Sequence, residues 1–113
     1  MNDSDLIRLR HMLDACREAR VFMDGRTSDD LLRDRMFLLA LVKEIEIVGE
    51  AASRISAESR ALLPGIPWPL VVGIRNRLIH AYADIDLTVV WNTLTVDLPE
   101  LTLHLESALA RQQ

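Results

Sequence analysis

The sequence predicts an all-α protein, an up-down bundle of four to five helices in a single domain spanning residues 1–113. Three observations point there. Half of the chain is apolar but only 4% is aromatic, so the core has to be built from Leu, Val, Ile, Ala and Met, as in packed helices rather than a β-sandwich. Apolar residues recur at helical spacing through most of the chain. Strong breakers are confined to Asp24-Gly25 and the stretch holding Pro64, Gly65, Pro67 and Pro69, with Pro99 standing apart.

A first helix, capped by Ser4 or Asp5 and running to about Phe22, places Leu6, Leu9, Leu13 and Cys16 on one face. Thr27-Ser28-Asp29-Asp30 caps a second, long helix through Leu31, Met36, Leu39, Val42, Ile45, Val48 and Ile55, forming an antiparallel hairpin with the first. Gly49 weakens that helix by about 1 kcal/mol relative to alanine, which predicts a close helix crossing or a close approach to a ligand. A short helical turn over residues 57–63 leads into the proline elbow, where Trp68 serves as a packing anchor. A third major helix starts near Pro69 and carries Val71, Ile74, Leu78 and Ile79 inward. A fourth, capped by Asp86, runs through Val90, Leu94, Leu98, Leu101 and Leu105, with a kink at Pro99.

The formal net charge is −4, from 13 basic and 17 acidic side chains, so bulk electrostatics do not attract nucleic acid and any such binding has to be local. It should show a shallow salt dependence. Lys43 is the only lysine, and the remaining cations are arginines suited to bidentate contacts. Cys16, alone, is expected to be a small core residue in a cytoplasmic protein. No apolar run approaches the ~20 residues of a membrane span. The scattered histidines and single cysteine offer no soft-ligand metal cluster, and no cofactor is implied.

Arg75-Asn76-Arg77-Leu78-Ile79-His80-Ala81-Tyr82 packs a fixed cation, an amide, a neutral-pH proton carrier and a phenol into one short stretch. On a helix, Asn76 and His80 lie one turn apart and can hydrogen-bond, which would set the imidazole tautomer. Arg75 and His80, five apart, would diverge by about 140°. Either the helix loosens near His80 or a second copy of the chain completes the site, and the second option predicts a homodimer. Arg77 points away from Arg75, where it adds an RNA contact or merely covers surface. Glu44 and Glu46 are expected to be solvated, Glu50 to approach the motif helix and pair with an arginine, and His11 and His104 to be structural.

The order Arg, four intervening residues, His, one residue, Tyr resembles the signature of the HEPN superfamily, and most closely its HepT-like branch. Val48-Gly49-Glu50-Ala51-Ala52, Ile66-Pro67-Trp68, Asp84-Ile85-Asp86 and Leu98-Pro99 extend the resemblance over nearly the whole chain. The resemblance implies a metal-independent ribonuclease toxin of a type VII toxin–antitoxin system, with Arg75 and His80 as the catalytic pair and Asn76, Glu50 and Arg77 in support. It further implies that Tyr82 accepts AMP from ATP through a separate MntA-like nucleotidyltransferase antitoxin, an added group that would compete with RNA for Arg75. The alternative is a non-catalytic helical module that binds a nucleotide or scaffolds that nucleotidyltransferase.

Overall fold

The computed structural model describes residues 1–112 except 82 and 83, and their side chains apart from those of residues 79–81. The predicted all-α architecture holds. The helices are α1 (Asp3–Met23), α2 (Ser28–Arg33), α3 (Arg35–Ser53), α4 (Ala57–Leu62), α5 (Trp68–Val72), α6 (Ile74–Leu78), α7 (Leu87–Asn92) and α8 (Leu98–Ala110). Between α6 and α7 lie two short strands, β1 (Ile79–Ala81) and β2 (Asp84–Ile85), which pair antiparallel with Ile79 opposite Ile85 and Ala81 opposite Asp84. No helix among the described residues is long and apolar enough to cross a membrane.

The core is the seam where α1 lies on α3, flanked by α8 on one side and by α5 and α6 on the other. Leu9 and Met12 of α1 meet Leu41, Ile45 and Val48 of α3 and Leu105 of α8, all fully buried. Asp5 near the start of α1 bonds to Ser56 just beyond the end of α3, so the two helices run antiparallel, as the hairpin reading requires. The turn between them depends on Gly25, whose φ of 72° suits a residue without Cβ.

Several boundaries differ from expectation, each for a local reason. Helix α1 is capped by Asn2, whose side chain accepts from the Asp5 amide at 2.7 Å, and not by Ser4 or Asp5. The long second helix is broken at Asp34. There the backbone turns extended, and the Asp34 carboxylate caps α3 by accepting from the Phe37 amide at 3.1 Å and binds Arg26 at 2.8 Å. The third helix is interrupted at Gly73 and stops at Leu78, whose carbonyl accepts from the Asp86 amide at 2.7 Å and so is drawn into the hairpin. Ahead of Pro99 the fourth helix takes a π turn over Thr93–Asp97; the wider turn accommodates a residue that cannot donate an amide and whose ring would crowd the preceding carbonyls.

The elbow is organised by Arg60 and Trp68. Arg60 donates to the carbonyls of Ala52, Ser53 and Ile55, closing off the C-terminal end of α3. The Trp68 indole donates to the carbonyls of Arg60 and Leu63, and the ring is buried, as expected of a packing anchor. Gly49 faces this layer: a Cβ there would lie 3.1 Å from Ile74 Cγ2 and 3.4 Å from the Val71 carbonyl oxygen. The close crossing predicted at that glycine is present, and it brings α6, with Arg75, against α3.

Candidate functional site

Arg75 sits on α6 with about half of its side chain exposed, and its Nε lies 3.4 Å from Glu46 Oε1 on α3. It lines an open groove of about 420 Å³ between α1 and α3. Helix α1 contributes Arg8 and His11, three residues apart and therefore on one face. Helix α3 contributes Lys43, Glu46, Ile47, Glu50 and Ala51 at successive turns, and its C-cap Arg54 continues the row. The groove thus gathers four cations from three helices that are distant in sequence. Such a surface can neutralise phosphate oxygens.

The carboxylates of the groove are engaged. Glu50 binds Arg54, four residues on, at 2.8 Å, and Glu46 is the partner of Arg75. The expectation that Glu50 pairs with an arginine is met, but within its own helix. The contact to the motif helix belongs to Glu46, which is only partly exposed. Glu44, also expected in solvent, is buried 5% exposed on the far side of the same turn. Desolvation pushes its carboxyl up to about 7, with Glu18 beside it adding to the shift, and its Oε2 has no hydrogen-bond partner among the described residues.

The other motif residues are divided by the end of the helix. Asn76 is exposed on α6, and its side chain makes no hydrogen bond among the described residues. Because α6 stops at Leu78, His80 lies on β1 and the one-turn helical relation between Asn76 and His80 does not apply. The helix therefore loosens before His80, which was the first of the two ways of relieving the 140° divergence. The His80 side chain and Tyr82 lie outside the described residues. Arg77 donates to the Leu70 carbonyl at 3.3 Å and lines a separate small cavity with Asp97 and Leu101, facing away from the Arg75 groove. It covers surface.

His11 was expected to be structural, yet it is exposed in the groove beside Arg8, on the wall opposite α3. The sequence signal was the Arg8/His11 spacing on one helical face; the rest of its company comes from other helices. His104 lies against Gly65 in a different cavity, in keeping with a packing role. Cys16 is buried, and desolvation raises its thiol to about 11. No group of three or more His, Cys, Asp or Glu side chains among the described residues is arranged to hold a metal ion.

Comparison with known proteins gives a consistent picture. Residues 12–108 match the family described as ribonuclease HepT-like. A protein of Caldanaerobacter subterraneus subsp. tengcongensis named "Putative RNase" is 29% identical over 105 residues, covering 93% of this chain and 94% of its own. A "Putative RNase" of Methanocaldococcus jannaschii is 30% identical over 98 residues, covering 87% of this chain and 90% of its own. The "Probable ribonuclease HepT" of Thermococcus cleftensis is 38% identical over 73 residues, covering 65% of this chain and 66% of its own. No solved structure gives a significant match.

Proposed function

The chain belongs to the HepT-like ribonuclease family, and from that premise we propose that it is a metal-independent endoribonuclease acting as the toxin of a type VII toxin–antitoxin pair. The observation that carries this reading is the placement of Arg75 in an open groove lined by further cations. In the proposed reaction the RNA 2′-oxygen attacks the adjacent phosphorus and the bond from phosphorus to the 5′-oxygen breaks. A 2′,3′-cyclic phosphate and a free 5′-hydroxyl result. His80 takes the 2′-hydroxyl proton or supplies one to the leaving oxygen, while Arg75 stabilises the charge gathering on the phosphoryl oxygens. Positioned proton transfer of this kind contributes ~10²- to 10⁴-fold in rate.

Two copies of the chain would complete the site. Exposed apolar side chains at Leu32 on α2 and at Met36 and Leu39 on α3 favour association with a second copy. Silencing would come from a separate MntA-like nucleotidyltransferase antitoxin: the Tyr82 oxygen attacks the α-phosphorus of ATP, pyrophosphate leaves, and the added AMP competes for Arg75 with the RNA backbone.

RNA incubated in EDTA with protein whose intact mass shows no modification should be cut by the wild type. Both Arg75→Ala and His80→Ala should lose that activity by at least ~10²-fold. Cleavage that is unchanged in His80→Ala, or absent from the unmodified wild type, would leave the non-catalytic nucleotide-binding or scaffolding module as the reading. Co-expression with an MntA-like nucleotidyltransferase should add adenylyl mass increments that Tyr82→Phe abolishes.

A further inference from the structure

The groove that receives Arg75 is longer than a single phosphate requires. Its α3 wall runs from Lys43 to Arg54, which follows the last turn, and the eleven residue steps between them cover about 16 Å of helix axis. A stacked nucleic-acid strand carries one phosphate per ~3.4 Å of axis, so even a more extended strand would bring at least two phosphates along that wall.

The charge there is opposite in sign to that of the whole chain. Four cations stand against two carboxylates, a local excess of two positive charges in a protein whose net charge is −4. Both carboxylates are already matched, Glu46 by Arg75 and Glu50 by Arg54. Arg8 and Lys43 form no ion pair among the described residues, so the uncompensated charge belongs to them. Ile47 and Ala51 add apolar surface between the charged groups, and no aromatic ring lines the groove. Stacking on bases is therefore not how a strand would be held.

We propose that this groove is a track for the backbone of single-stranded RNA, in which Arg8 and Lys43 hold phosphates flanking the one at Arg75. The proposal rests on the ribonuclease reading and adds to it a binding surface formed by α1 and α3. Because the contacts are to phosphates, it predicts binding with little sequence preference. The salt dependence should exceed the shallow one expected from composition, losing about 0.7 in the slope of log K against log salt for each cation removed.

The test uses a short 2′-fluoro RNA, which cannot undergo attack by a 2′-hydroxyl, so binding is read without cleavage. Fluorescence anisotropy at several salt concentrations compares wild type with Arg8→Gln/Lys43→Gln. Arg33→Gln/Arg111→Gln serves as a control that removes the same charge from exposed positions outside the groove. The groove variant should bind at least ~10-fold more weakly, with the salt slope reduced by about 1.4, and the control should stay within about two-fold of wild type. Unchanged affinity in the groove variant overturns the track, and so does equal weakening in both variants. Cleavage of unmodified RNA is measured in parallel. Binding that depends on Arg8 and Lys43 without any cleavage keeps the track and removes the nuclease; cleavage with binding indifferent to them does the reverse.

Discussion

Glu44 and Asp5 are buried carboxyls that the fold treats in opposite ways. Desolvation, together with the nearby Glu18, raises Glu44 to about 7 from an ordinary value of 4.5. The folded protein therefore holds a proton that the unfolded chain has released, and stability should fall as pH rises between about 4.5 and 7. Asp5 accepts hydroxyl hydrogen bonds from Ser56 and Ser59 and the Ser56 amide, which hold its carboxyl below 3.8; its contribution is present above that value and lost in acid. Glu44→Gln should accordingly raise stability at pH 8 by about 1–2 kcal/mol and flatten the decline, as read from urea unfolding at pH 5 and 8. An identical pH slope in wild type and variant would refute this. Neither environment was legible in the sequence. Asp5 looks like a helix cap because caps are local, whereas its actual partners lie some fifty residues away. His11 was passed over for the same reason, since most of the groove around it comes from α3 and α6.

Among the elements, those governed by neighbours in sequence were read well. Gly25 ends the first hairpin arm, Asp86 caps α7 by accepting from the Val89 amide, and the region of α4 was anticipated. The break at Asp34 was missed although its signal is also local: an aspartate three residues before an amide it can cap, placed within a continuous apolar periodicity that argued for reading through. The end of α6 had no such signal, because it depends on the Asp86 amide, just past β2, taking up the Leu78 carbonyl. The crossing at Gly49 gives a test at this scale. Gly49→Ala gains about 1 kcal/mol of helix propensity, but its methyl meets buried Ile74 and the backbone of α5, an overpacking cost of about 1–3 kcal/mol. The variant should be less stable in denaturant titration, and RNA cleavage should fall as well because the shift displaces the helix carrying Arg75. Greater stability with unaltered cleavage would show that the crossing has slack.

For the whole molecule, fold class was legible because it follows from composition and spacing, which tertiary detail cannot alter. The candidate site was legible only as a list of residue types. Assembly is the property that the single chain leaves to experiment at this scale. Leu32 is 77% exposed, Met36 83% and Leu39 46%, on either side of the α2–α3 break. Light scattering should find a dimer in the wild type and a monomer in Leu32→Glu/Met36→Glu with helical content retained, and the monomer should cut RNA at least ten-fold more slowly. A wild type that is both monomeric and fully active would remove the need for a partner copy.

The π turn over Thr93–Asp97 also alters the winding of the chain just before α8. One residue is added there to an otherwise regular coil, and Leu101, Leu105 and Ala108 beyond it face inward. Deleting one residue from this segment would restore regular winding and leave those side chains facing as they do, whereas deleting one beyond it would rotate everything that follows by about 100° and turn them out to water. The irregularity absorbs one surplus residue, so this helix should tolerate the loss of a residue inside the bulge far better than the same loss elsewhere along its length.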